Sequence, residues 1–421
     1  MKNFPVLSIL ILSSICTASY IDNLNIVGNK HTQYHIIQRE LHHPIPGEFD
    51  STLALEDRNR IYNLGLFSTV EIDQVDSNYT VFLVETFRIY PIPLANHNEA
   101  TGWSYGGGIA FINFRGMNQK LTLGGMFGEE TTYFIDFKDP WRTGDHLSIS
   151  GTVYQFFTNN PYYSYNYREK GFSIGTDFYN NNFHKIKLLM GLEYSTIDTN
   201  GIDKIILEKY ETIPLNYKYF RGEFTYRYDT RDIYLDPTYG SLTTLFLKPK
   251  LSFGKSKNYY LFLFKNLIFL KISDRYLNPV ISFDTRILLQ KSRTFPIFAY
   301  KYLGGEDFVR GYSPLSEKNS SKVANLIEGY NVLYQSVQLQ HTLIKKNDFN
   351  KMKTGFEYGI DMVYFVDIGV ISNELTSFNL KNTIVGYGFG FRIFASGVGV
   401  IGIDFGFNPY GQKFYHLSDN Y

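Results

Sequence analysis

One arginine stands out among the residues of this chain that could do chemistry. Arg310 lies in residues 303–312 between glycines and aromatic residues, in a segment without the alternation of a strand. An arginine in such surroundings needs an acidic partner if it is buried. Asp367 is the best candidate, because it sits in the apolar, strand-like residues 365–369, where a lone carboxylate is also costly to bury. The sequence therefore predicts an ion pair between Arg310 and Asp367.

Two other patterns are typical of enzymes but lie in the wrong context. Residues 171–175 match the nucleophile pattern of serine hydrolases around Ser173, which needs a strand before it and a helix after it. Residues 176–179 continue the alternation of a strand instead. His31 and His35 have the helical spacing of paired metal ligands, but there is no glutamate between them and no obvious third ligand. We therefore predict no catalytic residue, no metal site and no cofactor.

The composition is unusual for a soluble protein. The chain has 421 residues, with 35 Tyr, 36 Phe and 35 Gly, and only 19% of its residues are charged. Soluble domains seldom combine so many aromatic residues with so few charges. A formal net charge of +1 gives no sign of the basic face that nucleic-acid binding usually needs. We assign no nucleic-acid partner.

Hydrophobic and polar residues alternate from about residue 103 to the end of the chain. In residues 220–229 the even positions are aromatic or glycine, and the odd positions are charged or threonine. Apolar residues outside and polar residues inside are typical of a transmembrane barrel. At roughly 20 residues per strand and connection, residues 100–421 predict an antiparallel β-barrel of about 16 strands. A soluble all-β sandwich is the weaker alternative, because its strands seldom carry so aromatic an outer face.

Residues 1–19 have the composition of an export signal. Lys2 is basic, residues 6–15 are mostly apolar, and Ala18 is a small residue suited to signal peptidase. The apolar run is shorter than the about 20 residues that a membrane-spanning helix needs. Cys16 is the only cysteine, so its removal with the signal would leave a mature chain without disulfides.

Residues 20–88 predict a small α+β domain of the order β-α-α-β-β. Its expected elements are a strand, a helix capped by Thr32, a helix capped by Ser51 and two strands, at residues 21–27, 33–41, 52–64, 68–73 and 80–87. Pro91 and Pro93 then predict a short, stiff linker over residues 89–99.

A charged group follows one of the predicted barrel strands. Asp229, Arg231 and Asp232, with Tyr228 before them, resemble a catalytic cluster only superficially. The aspartate and proline at residues 236–237 favour a turn at the rim of the barrel, which this group would organise.

Several short motifs occur in an order that is characteristic of one family. They are residues 26–29 with Thr32 and residues 64–67 in the module, and residues 228–232, 309–312 and 365–369 in the barrel. Each motif is weak alone. Together with a signal, a β-α-α-β-β module and a barrel, they resemble the Omp85 superfamily of outer-membrane assembly and transport proteins, whose small module is called a POTRA domain. The resemblance covers nearly the whole chain after the signal and includes a single POTRA-like domain.

The resemblance implies a long loop, about residues 301–328, that folds back into the lumen. Its tip would be formed by Val309, Arg310, Gly311 and Tyr312, and Asp367 would bind Arg310 from the barrel wall. Family members often have a second acid on the strand after the loop, where this chain has Gln338. An amide accepts a hydrogen bond but brings no charge, so we expect Asp367 to provide most of the interaction.

The resemblance also implies a lateral seam between the first and last strands. We expect these strands at about residues 103–114 and 413–421. Gly106, Gly107 and Gly108 would weaken the first strand because glycine adds no packing, and Tyr421 would end the last strand. Unpaired backbone groups are costly in hydrocarbon, so the seam should be short and weakly held.

These features predict a bacterial outer-membrane protein that inserts other β-barrel proteins, with its POTRA-like domain in the periplasm. The expected partners are the outer-membrane lipid bilayer and unfolded β-barrel clients, which the module would bind by strand addition. Accessory lipoproteins or periplasmic chaperones are further candidate partners. Two alternatives remain open, a polypeptide transporter of the same fold and a passive diffusion channel.

Overall fold

The structure, a computed structural model, describes most of the chain after the predicted signal. The described residues are 20–98, 102–140, 147–160, 165–180, 183–198, 214–273, 277–315, 318–348, 357–395 and 399–419. The predicted signal at residues 1–19 and Tyr421 of the predicted seam lie outside them. Across these segments, no helix has the length and apolar character needed to cross a membrane.

The N-terminal module has the expected order of elements with two short strands added. Its elements are β1 (Tyr20–Ile21), β2 (Asn23–Val27), α1 (Tyr34–Gln38), β3 (Gly47–Glu48), α2 (Ser51–Asn63), β4 (Phe67–Val75) and β5 (Asn78–Glu85). β5 is the central strand of a sheet in which β2 pairs with it in parallel and β4 antiparallel. The parallel pair requires the crossover that the two helices provide. β2 and β4 are therefore the edges of this sheet.

The helix starts differ from the expectation at two side chains. Thr32 does not cap α1, because its hydroxyl donates to Glu85 Oε1 at 2.6 Å. α2 is capped by Asp50, whose Oδ1 accepts from the amide of Thr52 at 2.8 Å, and Ser51 is the first helical residue. A carboxylate caps as well as a hydroxyl and also interacts favourably with the positive end of the helix.

A buried acid organises the core of the module. Asp57 is completely buried and accepts from the amides of His42 at 2.8 Å and His43 at 3.1 Å. It also accepts from the hydroxyl of Tyr79 at 2.9 Å and forms an ion pair with Arg60. Burial and the Asp57 carboxylate raise the pKa of Tyr79, so this hydroxyl remains a donor. The acid thereby connects helix α2, the chain between α1 and β3, and the central strand β5.

Most of the remaining chain forms one antiparallel sheet. The strands are β6 (Ile89–Asn98), β7 (Gly102–Phe114), β8 (Gln119–Gly128), β9 (Glu130–Asp139), β10 (Leu147–Asn160), β11 (Tyr165–Asn180), β12 (His184–Asp198), β13 (Asn216–Asp229), β14 (Gly240–Ser252), β15 (Tyr259–Lys271), β16 (Val280–Ser292), β17 (Lys301–Tyr302), β18 (Glu328–Gly329), β19 (Asn331–Asp348), β20 (Glu357–Ser372), β21 (Ile384–Ala395), β22 (Gly399–Phe407) and β23 (Lys413–Asp419). Single turns of 3₁₀-helix occur at Ile297–Ala299, Ala324–Leu326 and Leu380–Asn382. Among the described residues, the sheet contains 16 strands in chain order from β6 to β23, and β17 and β18 form a separate pair. This is the expected antiparallel barrel.

The side chains of the barrel strands alternate between two environments. On β20, Tyr364, Val366 and Ile368 are 46%, 45% and 42% exposed, whereas Phe365 and Asp367 between them are 3% and 0% exposed. The exposed face is the apolar one, which is the reverse of a soluble sheet and fits lipid outside the barrel. The buried face, with its carboxylates and arginines, lines the lumen.

The segment expected to be a linker is the first barrel strand. Residues 89–98 form β6, which pairs antiparallel with β7. The linker prediction is therefore wrong for these residues. Pro91 and Pro93 suggested a linker because proline cannot donate to a strand ladder, but an edge strand has one side without a neighbour in the ladder and tolerates proline there.

The module touches the barrel at two places on the same end, called here the module end. Asn113, near the end of β7, donates from Nδ2 to the hydroxyl of Thr32 at 2.8 Å. In the turn between β13 and β14, the amide of Tyr234 donates to Oδ1 of Asn63 at 3.3 Å. Asn63 is the last residue of α2, so both contacts come from helix ends or loops of the module.

Candidate functional site

The long connection between β16 and β19 lies inside the barrel. Leu303, Phe308, Val309 and Tyr312 of this connection, called here the lumenal loop, are buried in one apolar cluster. The cluster also contains inward-facing residues of four strands, β16, β19, β20 and β21: Leu288, Val332, Tyr334, Ile371 and Ile384. The apolar contacts hold the loop against one side of the lumen, and the loop tip with Arg310 points at that wall.

The structure brings Arg310 and Asp367 together, as the sequence suggested. Arg310 Nε donates to Asp367 Oδ2 and Nη2 to Oδ1, each at 2.8 Å, and the backbone amide of Arg310 donates to Oδ2 at 3.1 Å. Such two-pronged pairing is the strongest geometry that an arginine forms with a carboxylate. The guanidinium carbon also lies 3.5 Å from the ring centre of Phe365, so the cation is stacked as well as paired.

A second acid, which the sequence analysis did not identify, completes the charge balance. Asp404 on β22 accepts from Arg310 Nη1 at 2.9 Å and from Arg392 Nη1 and Nη2 at 2.7 and 3.1 Å. Two arginines thus face two aspartates, Asp367 and Asp404, both with no exposed surface. Removing any one member would leave an unbalanced buried charge. These four residues are called the charge quartet below.

Gln338 does not take the place expected for a second loop partner. Its Nε2 donates to Ser336 Oγ at 3.4 Å, and its buried Oε1 makes no hydrogen bond with any described residue. The residue of β19 that meets the loop tip is Ser336, which lies directly opposite Asp367 in the ladder. Ser336 accepts from Arg310 Nη2 at 3.3 Å and donates to Asp367 Oδ1 at 2.6 Å. Gln338 points to the same face but lies one inward position further along the strand.

The loop tip is also bound to β21, to the last strand β23 and to the turn before β23. The amide of Gly311 donates to His416 Nε2 on β23 at 3.0 Å, and the carbonyl of Gly311 accepts from Asn408 Nδ2 at 2.7 Å. Tyr312 donates through its hydroxyl to the carbonyl of Val385 at 3.1 Å. The loop therefore braces the wall from β19 to the final strand.

Glycines in the wall make this close approach possible. A Cβ on Gly386 would lie 1.7 Å from the carbonyl oxygen of Arg310, and one on Gly406 would lie 2.3 Å from the amide nitrogen of Gly311. No larger residue fits at either position without displacing the loop backbone. Gly311 itself has a φ of 92°, in the region that favours glycine.

One of the two strands that form the seam is not the strand expected from the sequence. Gly106, Gly107 and Gly108 belong to β7, which pairs with β6 on one side and β8 on the other, so they lie one strand in from the edge. The sheet begins with β6 and ends with β23, and the described residues of these two strands form no ladder with each other. The candidate seam is therefore between β6 and β23.

The edge of β6 that faces the seam is short of hydrogen-bond donors. The amide of Ile112 donates to the carbonyl of Arg88 at 2.7 Å. This bond shows which of the opposed residue pairs in the β6–β7 ladder are hydrogen-bonded pairs. Bonded and non-bonded pairs alternate, so Pro91 and Pro93 occupy non-bonded positions with respect to β7. Their nitrogens face the open edge. A neighbouring strand would find acceptors but no donors at these two positions.

The charged group at the end of β13 forms a turn at the module end. Arg231 binds Asp229 through Nε and Nη2, both at 2.9 Å. Asp232 accepts from the amide and hydroxyl of Thr238 at 2.9 and 2.7 Å, and Tyr228 lies on the outer face, 37% exposed. Burial, followed by the Asp229 carboxylate, raises the pKa of Tyr234 in the same turn. The group is positioned to shape the turn that contacts the module.

The enzyme-like patterns have other surroundings. Ser173 lies in the middle of β11, with strand before and after it. His31 lies before α1, and a ring nitrogen is 3.2 Å from the carbonyl oxygen of Asn113. Among the described residues, no group of three or more His, Cys, Asp or Glu side chains could hold a metal ion.

Comparison with known proteins agrees with this architecture. The sequence profile of the Omp85 superfamily domain matches residues 113–416. BamA from Haemophilus ducreyi lacking POTRA domains 1–3 is similar with a TM-score of 0.58 and 18% identity over 95% of this chain and 83% of that chain. CdiB from Escherichia coli gives 0.57 and 14% over 95% and 75%, and CdiB from Acinetobacter baumannii gives 0.52 and 14% over 95% and 73%. A search of curated proteins finds no match.

Proposed function

Because this chain belongs to the Omp85 superfamily of outer-membrane β-barrel proteins, we propose that it inserts other β-barrel proteins into the outer membrane. The incoming strand of a client would pair with an edge exposed between β6 and β23. The observation that carries the proposal is this pair of edges, which form no ladder with each other among the described residues. No chemical reaction, metal or cofactor is needed for such strand exchange.

The two sides of the seam differ in the contacts that hold them. On the β23 side, His416, Asn408 and Asp404 are all bound to the lumenal loop. On the β6 side, β7 and β8 place glycines opposite one another, with Gly107 facing Gly125 and Gly108 facing Gly124. Glycine pairs contribute little cross-strand packing. We therefore expect opening to move β6 and its neighbours while β23 stays in place.

The module supplies a second place for a client to pair. β2 and β4 are the edges of its three-stranded sheet, and Val27 and Val75 at their ends are 44% and 43% exposed. Extended chains bind such edges by strand addition. With the module in the periplasm, these edges would meet clients before the seam does, with accessory lipoproteins or chaperones delivering them.

The proposal is tested by restoring the missing donors. In Pro91→Val/Pro93→Val, two additional amides face the seam. In a closed state in which β6 pairs with β23, they would add two hydrogen bonds of about 0.5–1.5 kcal/mol each and make opening about 5-fold to about 150-fold less favourable. Pro249→Val is the matched control, because Pro249 lies in β14, far from the seam. The assay is the rate at which a small urea-unfolded barrel protein folds in liposomes that contain each variant, read from the heat-modifiable gel shift of the client.

Wild type and Pro249→Val should accelerate client folding over empty liposomes, and the double variant should lose most of the acceleration. Equal acceleration by the double variant would show that β6 need not part from β23. No acceleration by folded wild type, in the presence of periplasmic chaperones, would reject the insertion role.

A transporter that passes a polypeptide through the lumen is the second candidate. The inner face of β12 to β16 carries many charged side chains, including Glu193, Glu223, Lys248 and Lys250, as an aqueous path requires. Such a protein would secrete its substrate with unchanged efficiency in Pro91→Val/Pro93→Val. Both a transporter and a passive channel would conduct ions when the loop is displaced. Only the transporter would also translocate a polypeptide.

A further inference from the structure

A row of cations crosses five adjacent strands on the inner face of the barrel. The ladders place Lys185 of β12 opposite Arg227 of β13, Arg227 opposite Thr244 of β14, Thr244 opposite Lys265 of β15, and Lys265 opposite Arg286 of β16. Directly opposed residues of neighbouring strands point to the same face. Four of the five side chains in this row are therefore positively charged and point into the lumen.

Two of the opposed pairs combine like charges. Lys185 faces Arg227, and Lys265 faces Arg286. Like charges directly opposite one another destabilise a sheet unless nearby acids compensate them. The row therefore requires negative charge nearby to compensate these like-charged pairs.

The acids of the next row on the inner face are already bound to arginines, and Asp307 of the lumenal loop lies beside Arg286, whose Nη1 donates to its carbonyl at 2.7 Å. The adjacent row toward the module end contains Asp229, Asp284 and Asp367. Each is held by two nitrogens of one arginine, namely Arg231, Arg286 and Arg310 respectively. The adjacent row on the other side, Lys187, Thr225, Phe246, Leu263 and Leu288, contains no acid.

Two cations of the row have no hydrogen-bond or ion-pair partner among the described residues. Lys185 donates to the hydroxyl of Tyr234 at 2.9 Å and lies over its ring, and Arg286 binds Asp284. Arg227 and Lys265 form no hydrogen bond or ion pair with any described residue. They flank Thr244, whose short side chain leaves space between the two long ones and whose hydroxyl also makes no hydrogen bond within the described segments.

We propose that Arg227, Thr244 and Lys265 form a binding site for a small oxyanion of the phosphate type. The anion lies over Thr244, accepts hydrogen bonds from the guanidinium, the ammonium and the hydroxyl, and supplies the negative charge that the row lacks. Arginine and lysine together are the usual phosphate ligands of proteins, and rings of these residues select anions in membrane pores. The site is independent of the seam and of client insertion.

The test is calorimetric titration of inorganic phosphate into the folded full-length protein in detergent micelles at constant ionic strength. The wild type should bind one phosphate saturably. Arg227→Gln/Lys265→Gln removes two charge-assisted bonds and should weaken binding by at least about 100-fold. Lys170→Gln/Lys218→Gln is the matched control, because it removes the same charge from exposed lysines on the outer face and should leave binding unchanged.

A second variant keeps the proposal testable if the first fails to fold. Thr244→Glu places a carboxylate between the two cations, so it should abolish phosphate binding and also make the barrel more resistant to urea in phosphate-free buffer. Absence of saturable binding by folded wild type, equal loss in the outer-face control, or undiminished binding by Thr244→Glu would each overturn the proposal.

Discussion

Neutralising one acid of the charge quartet should destabilise the barrel strongly. In Asp367→Asn, two arginines, Arg310 and Arg392, would face the single carboxylate of Asp404. The new amide group would also point a donor at a guanidinium that offers only donors. Breaking a buried ion pair on one side costs about 3–5 kcal/mol, so we expect the free energy of unfolding to fall by that amount.

A double variant distinguishes loss of the ion pair between Arg310 and Asp367 from general disruption of the barrel. Arg310→Gln alone leaves Asp367 and Asp404 with only Arg392, again a net charge of one. Arg310→Gln/Asp367→Asn leaves the balanced pair of Arg392 and Asp404, whose nitrogen and oxygen atoms are 2.7 and 3.1 Å apart. The double variant should therefore be no less stable than either single variant, a strong departure from additivity.

The assay is urea titration of the protein in lipid vesicles, with the folded fraction read from the heat-modifiable gel mobility. Asp177→Asn is the control, because its partner Lys138 has a side chain that is 39% exposed and such pairs contribute about 1 kcal/mol or less. An unchanged urea midpoint for Asp367→Asn, or strictly additive losses in the double variant, would refute the reasoning about the quartet.

Three further substitutions test the packing of the loop tip against the barrel wall, the hydrogen bond between the loop and the last strand, and the stability of the module. Gly386→Ala should expel the loop tip and expose the loop to protease. Gly151→Ala should not, because its new Cβ would lie 3.9 Å from the nearest atom. Equal digestion of the two variants would show that the loop tip does not pack against Gly386. His416→Ala leaves the amide of Gly311 without its acceptor, so hydrogen exchange should quicken in residues 413–419 and not in β14; no change there would separate the loop from the last strand. Asp57→Ala removes the acceptor of two amides, of which that of His43 is buried, and should unfold the module, seen as loss of its helical circular dichroism, while the gel shift of the barrel persists; a folded module would show that these bonds are dispensable.

The barrel could be recognised from the sequence because lipid and water select opposite side chains. A period of two with aromatic residues on one face is a local signal, and it is visible in β13 and β21 without any knowledge of the fold. The contact between Arg310 and Asp367 could be anticipated for a related reason. Each is a lone charge in apolar surroundings, and two such charges have few other ways of being buried.

Asp404 could not be assigned with the same ease, although a signal existed. It lies on the inward face of β22 between Gly402 and Gly406, much as Asp367 lies beside Gly369 and faces Gly386 in the ladder. A lone acid flanked by glycines on an inward face marks a place where another backbone comes close. That pattern becomes informative only once the loop is known to occupy the lumen.

The position of the first strand and the alignment of the cation row could not be predicted from the sequence, because both depend on which strands are neighbours. Pro91 and Pro93 argue against a central strand and in favour of an edge strand, and the sequence does not say which position β6 has. The alignment of Arg227 with Lys265 depends on the register of three strands, which is set by the turns between them. A shift of two residues in either ladder would separate the two cations without changing the alternation.

The two contact regions between module and barrel have a consequence for the proposed insertion role, because they set where a polypeptide could approach from the module end. Thr32 is bound to Asn113 near the end of β7, and Asn63 to the turn between β13 and β14, so the module lies over the arc from β7 to β13. The described residues of the module make these contacts on one side of the rim, and the other side runs from β14 through β23 to β6. In the proposed insertion role, an arriving chain would be directed to the side of the barrel that contains β6 and β23, and it would reach this side without first threading the lumen.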